Sequence, residues 1–187
     1  INKKMALITF CLAIFIFLTH STEQKRIVSL TPSITKILFH LQVESSIVGV
    51  TDFCEFEGKV AKLVKSGKIK RVSGYNVINY EKIVLTNPDI ILGMDSISME
   101  TKIKMDKLFA NKKIFWFKHP KNFVEIKKQI VNIGQIVNKT EKATQIVNDM
   151  DRELDLINKK ISTIDEEQKP KVLVEIFYPP FTTAGVN

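Results

Sequence analysis

The chain has 187 residues, enough for one domain or one and a fraction. Hydrophobic residues make up 44 % and charged ones 26 %, a globular balance that excludes intrinsic disorder. The net charge of +8 rests on lysines spread along the whole chain, with Arg26, Arg71 and Arg152 the only arginines, so no clustered basic patch for nucleic acid is indicated.

Lys3 and Lys4 precede an uncharged apolar run from Ala6 to Leu18, and Thr19-His20-Ser21 follows it. This order is that of a secretory signal peptide and predicts cleavage after Ser21. The run falls short of the ~20 residues a spanning helix needs. The alternative is an uncleaved N-terminal anchor. Phe10 stands before Cys11, where a lipidation site needs a small residue, which argues against a lipoprotein. Loss of residues 1–21 leaves Cys54 as the single cysteine and the exported domain without an internal disulfide.

Arg26 to Leu30 reads as a short strand. Thr31-Pro32 opens a helix, with Thr as N-cap and Pro at the first helical position. Ile34, Ile37, Leu38 and Leu41 form its apolar face. "SIVGV", 46–50, predicts a second strand, and "TDFCEFEG", 51–58, a loop. A short helix is expected over 59–65 and a turn over "RVSGYN", 71–76. Asn79 caps a helix to about Leu85, and Asn87-Pro88 ends it. "DIILG", 89–93, predicts a third strand. A helix over 98–109 is expected to bury Ile103 and Leu108. "KIFWF", 113–117, predicts a fourth strand. Alternating strands and helices predict an α/β lobe, with a parallel sheet, right-handed crossovers and helices on both faces.

The texture changes at Asn122. Phe123, Ile126, Ile130, Ile133 and Val137 mark one helical stripe. Ala143, Val147, Met150, Leu154, Ile157 and Ile161 mark a second, with Thr140 as the N-cap between them. The second helix is roughly 24 residues, or about 36 Å, long for a simple crossover. Lys171 to Phe177 then begins a new strand. The expected organisation is a signal peptide at 1–21, an N-terminal α/β lobe at 22–121, a helical connector at 122–168 and the start of a second α/β lobe at 169–187.

The sequence carries no Gly-rich phosphate loop, no His-x-x-x-His or Cys-x-x-Cys pair and no Gly-x-Ser-x-Gly elbow. His40 and His119 read as structural or solvated rather than as metal ligands. No catalytic residue and no metal site is predicted. In open α/β sheets, ligands bind outside the carboxyl ends of the strands. Those ends are Thr31-Pro32, Thr51-Asp52-Phe53, Asp95-Ser96 and Tyr178 to Thr183, with the Gly74-Tyr75 turn on the same rim. They offer aromatics (Phe53, Tyr75, Tyr178, Phe181), hydroxyls and two carboxylates. Such a surface suits a large, partly flat, partly polar small molecule. The competing reading makes Phe53 and Phe181 loop anchors packed on the core.

Four stretches occur in order: "RIVSLTPSITKILFHL", "IVGVTDFCEF", "RVSGYNVINYEKIVLTNPDIILG" and "VLVEIFYPPFTTAG". Together they resemble the cobalamin-type periplasmic substrate-binding proteins of ABC importers, from Arg26 to Asn187. In that family two α/β lobes are joined by one long helix, and relatives bind haem or ferric siderophores. The resemblance implies that Phe53 and Tyr75 line the ligand cleft and that Pro180, Phe181 and Thr182 face them from the second lobe. It makes Glu81 the glutamate that docks on permease arginines; otherwise Glu81 is an ordinary first-turn residue stabilised by the helix dipole. "YPPFTTAG" matches the first loop of the C-terminal lobe, whose remainder does not follow, so a truncated form is implied. Gly58 stands where the family often has proline, and Val77-Ile78 replace more polar residues.

The implied protein is a periplasmic, monomeric, non-enzymatic solute-binding component that captures cobalamin or a related corrinoid for an ABC permease dimer, with no cofactor of its own. Haem or a ferric siderophore is the alternative ligand, with Tyr75 the N-lobe side chain to ligate haem. A non-functional remnant is the alternative status. The rival class, a small exported α/β enzyme, lacks a partner set of catalytic groups on the rim.

Overall fold

A computed structural model of the protein describes residues 24–74 and 77–170, with the backbone of Glu175–Phe177 and Thr182–Thr183. The signal-peptide reading, Tyr75, Tyr178, Pro180, Phe181 and the side chain of Thr182 lie outside the described residues. The residues up to Ile146 form one unit and those from Val147 onward a second.

The first unit is built on a five-stranded sheet. Its strands are β1 (Ile27–Ser29), β2 (Ile47–Thr51), β3 (Lys70–Ser73), β4 (Ile90–Met94) and β5 (Lys113–Phe117). All pairings are parallel, in the order β3-β2-β1-β4-β5. Five helices intervene or follow: α1 (Pro32–His40), α2 (Lys59–Lys65), α3 (Tyr80–Leu85), α4 (Met99–Leu108) and α5 (Phe123–Ile136). Strand order runs outward from β1 to β3, then returns across β1 to β4. With right-handed crossovers, that reversal sends helices to opposite faces of the sheet. Ile83 of α3, Met105 of α4 and Phe109 just after it pack with Val28, Val72 and Ile91 on one face. On the other, Thr35 of α1 hydrogen-bonds Ser29, the neighbour of Val28, at 2.8 Å. Successive strand residues point to opposite faces, so these two contacts place helices on both sides.

The helix starts follow their caps. The Thr31 hydroxyl accepts from the Ile34 N–H at 3.4 Å, with Pro32 in the first helical position. Asn79 accepts from Lys82 at 2.9 Å, Ser98 from Thr101 at 3.2 Å and Asn122 from Glu125 at 3.0 Å. Each satisfies a backbone donor that the first helical turn leaves open.

Three local expectations are corrected. The turn expected over 71–76 is a strand at its start: Lys70 to Ser73 pair with β2 and form the sheet edge. A strand with Lys70 exposed and Arg71 half-buried suits such an edge. In α4, Ile103 and Leu108 are 50 % and 49 % exposed, whereas Met105 is buried, with Phe109 below it. The helix is rotated so that the 105/109 pair, four residues apart, meets the sheet. Thr140 is the first residue of the next helix rather than its cap; the Lys139 carbonyl accepts from Ala143 at 2.9 Å.

The turn between α5 and that next helix is tight. Asn138 has φ of 57°, and a β-carbon on Gly134 would overlap the β-carbon of Ala143, so only glycine permits this approach.

Helix α6 (Thr140–Ile161, 22 residues) runs from the first unit into the second. Ala143 on its stripe is buried, while Ile157 and Ile161 at the far end are exposed. Beyond it, β6 (Glu175–Phe177) pairs antiparallel with the short β7 (Thr182–Thr183). Among the described residues, no helix is long and apolar enough to cross a membrane.

Candidate functional site

The strand order reverses between β1 and β4, which leaves a crevice at their carboxyl ends. A cleft of about 880 Å³ occupies that place. Leu30, Thr31 and Pro32 enter it from the end of β1, and Met94 and Ser96 from the end of β4. Thr51 and Phe53 reach it after β2, Ser73 and Gly74 after β3, and Trp116 and His119 from β5. All five strands thus contribute to one concavity. Tyr80, at the start of α3, adds a third described aromatic.

The wall at β5 depends on a glycine. Trp116 is paired with Gly93 across β4 and β5, and its indole lies where a β-carbon on residue 93 would stand. The side chain therefore lies close against the sheet while it lines the cleft. Tyr80 is held from outside, with the Lys104 ammonium 4.3 Å from its ring centroid.

Beneath the β1 and β2 rim lies a buried polar cluster. The Thr35 hydroxyl is 2.8 Å from the Ser29 hydroxyl and 3.0 Å from the Cys54 sulfur, and the Thr51 hydroxyl is 3.1 Å from the same sulfur. The Arg71 guanidinium donates to the carbonyls of Thr51 and Cys54, at 2.5 and 2.8 Å. These bonds span the loop that carries Phe53. A guanidinium fork held on two carbonyls fixes both ends of a short loop at once. Phe53 itself is 58 % exposed, so its ring is presented to the cleft rather than packed as a core anchor.

Glu81 is exposed in the first turn of α3 and does not border the cleft. Of the two carboxylates read on the rim, neither Asp52 nor Asp95 lines it. The sequence alone does not mark Trp116, Tyr80 and His119 as site residues. Trp116 belongs to an apolar strand run, and its partner Gly93 comes from a separate segment. His119, read as a turn residue, lies 3.2 Å from the Ser96 hydroxyl through Nε2. That placement puts an imidazole on the rim of the cleft. Among the described residues, no group of three His, Cys, Asp or Glu side chains is arranged to hold a metal ion. Every buried side-chain nitrogen and oxygen among them has a hydrogen-bond partner.

The cleft is thus concave and aromatic on two sides, and hydroxyls edge it. It suits binding a sizeable small molecule by ring contact and rim hydrogen bonds.

The family described as "Periplasmic binding protein" matches residues 27–184. The uncharacterized ABC transporter substrate-binding lipoprotein YvrC of Bacillus subtilis is 29 % identical over 163 residues, which are 87 % of this chain and 50 % of that protein. A vitamin B12-binding protein of Vibrio parahaemolyticus is 22 % identical over 179 residues, 92 % of this chain and 60 % of that protein. The crystal structure of a possible iron-binding (periplasmic solute-binding) protein from Staphylococcus epidermidis is similar with a TM-score of 0.67 and 26 % identity, covering 86 % of this chain and 60 % of that one. The chain therefore spans 50 % and 60 % of the lengths of these two curated relatives.

Proposed function

Because this chain belongs to the periplasmic binding protein family, whose members are solute-binding proteins and not enzymes, we propose that it serves as the substrate-binding component of an ABC importer. The observation that carries this reading is the cleft of about 880 Å³ at the switch point between β1 and β4, with Phe53, Tyr80 and Trp116 around it. Its size falls in the range of small-molecule sites, ~300–1,000 Å³.

The ligand proposed first is a corrinoid. The similarity to a vitamin B12-binding protein supports it, as do the aromatic walls. The second reading is an iron complex, either haem or a ferric siderophore. The similarity to a possible iron-binding protein and the presence of His119 on the rim favour it. In this proposal residues 22–121 form the N-terminal lobe, 122–168 the connector and 169–187 the start of the second lobe. Tyr75 joins Phe53 on the N-lobe rim, and Pro180, Phe181 and Thr182 meet the ligand from the opposite side. Glu81 docks on the permease dimer. The protein acts outside the cytoplasmic membrane, either free in a periplasm or held by its N-terminal segment.

The test uses the single tryptophan of the chain. Cyanocobalamin, haemin and a ferric siderophore are titrated in turn into the full chain, and Trp116 fluorescence is followed. Saturable quenching by one of them, lost in Phe53→Ala, is the expected result. Failure of all three to quench overturns the proposal for the chain.

A further inference from the structure

A second cavity of about 660 Å³ adjoins the cleft, and His119 lines both. It lies where β5 leaves the sheet and α5 begins. Lys118, Lys121 and Lys128 line it, together with Asp95 and Glu125. The Glu125 carboxylate is already engaged: it accepts from the Lys121 backbone N–H at 2.8 Å. None of the three ammonium groups has an ion-pair partner within 4.0 Å among the described residues. Three ammonium groups against two carboxylates give the concavity a positive balance. These three lysines line one hollow that adjoins the cleft at His119.

We infer that the binding site continues past His119 into this lysine-lined annex, which receives an anionic oxygen-bearing arm of the ligand. The inference rests on the proposed reading of the cleft. Charge-assisted hydrogen bonds from ammonium groups to carboxylate or phosphate oxygens are about twice as strong as neutral ones. A carboxylate arm and a phosphodiester arm present the same oxygens. The annex therefore selects for the anionic arm, while the aromatic cleft accepts the flat body. His119, with Nε2 3.2 Å from the Ser96 hydroxyl, lines both cavities.

The test pairs each ligand with a counterpart lacking the arm. Haemin is compared with its dimethyl ester, and cyanocobalamin with dicyanocobinamide, which lacks the phosphodiester. All four are titrated into the full chain at low and high salt, and into a Lys121→Gln/Lys128→Gln variant. Both lysines are exposed, so the variant keeps the fold, which circular dichroism verifies. The expected result is an arm-bearing ligand that binds about tenfold more tightly than its counterpart, a gap that salt narrows and the double substitution removes. A gap in the haemin pair alone names carboxylate as the source, and one in the cobalamin pair alone names phosphodiester. Equal affinity within both pairs overturns the annex and leaves the cleft reading standing, as does a gap that the lysine substitutions leave unchanged. Failure of all four to bind overturns the cleft reading and the annex with it.

Discussion

Gly93 and Trp116 face each other across β4 and β5, and the indole Cε3 lies 2.9 Å from where a β-carbon on residue 93 would stand, with Cζ3 closer still. The absence of a side chain at one position thus sets the orientation of a cleft wall contributed by another. Gly93→Ala forces the indole to move. Such overpacking costs about 1–3 kcal/mol. The expected outcome is a lower urea midpoint together with a changed Trp116 emission maximum. Unchanged emission and midpoint would show that the sheet absorbs a methyl group without moving the ring.

Arg71 determines the Phe53 loop through the carbonyls of Thr51 and Cys54. Arg71→Met keeps much of the side-chain volume and removes both donors. Leaving acceptors without partners costs about 1–3 kcal/mol. Ligand affinity is expected to fall with stability, since the loop bearing Phe53 loosens. Arg71→Lys is expected to recover only part, because an ammonium does not reproduce the planar fork. Equal affinity in wild type and Arg71→Met would separate the clamp from binding.

Cys54 is buried, and its sulfur sits between two threonine hydroxyls. The thiol is expected to resist a thiol-specific reagent in the native protein and to react fully in denaturant. Cys54→Ala is expected to destabilise by about 1–3 kcal/mol: the Thr35 hydroxyl keeps its contacts with Ser29 and Thr31, but the buried Thr51 hydroxyl loses the sulfur. Rapid labelling of the native protein would contradict the buried placement.

In the proposed reading, Phe53 and Glu81 serve two separable activities. Phe53 is exposed on the cleft, so Phe53→Ala is expected to change stability by no more than about 0.5 kcal/mol while it weakens ligand binding. Glu81→Arg is expected to leave ligand titrations unchanged and to lower transport and permease pull-down. A Glu81 variant that transports normally would return this residue to its ordinary role at the start of α3.

Much of the first unit was legible in the chain. Thr31-Pro32 and Asn79 announced their helices, and four strands stood out as apolar runs, because caps and strand periodicity act within a few residues. The strand Lys70–Ser73 was not legible. Its charged residues resemble a turn, and it becomes a strand only through hydrogen bonds to β2. In α4 the same limit applies. "METKIKMDKL" presents apolar residues on more than one face, and contact with Val28 and Ile91 decides that Met105, followed by Phe109, turns inward.

The candidate site divides in the same way. The strand-end rule led to Thr31, Pro32 and Phe53 from the chain alone, and all three border the cleft. Trp116, Tyr80 and His119 join them only because sheet order β3-β2-β1-β4-β5 brings distant segments to one rim. By itself the sequence determined the α/β alternation, most of the helix starts and the long α6, all of which are local. Only the tertiary structure decided which faces are buried, that Trp116 lies on Gly93, and that His119 lines two cavities. Those relations depend on pairing and packing between residues far apart in the chain, and no local pattern encodes them.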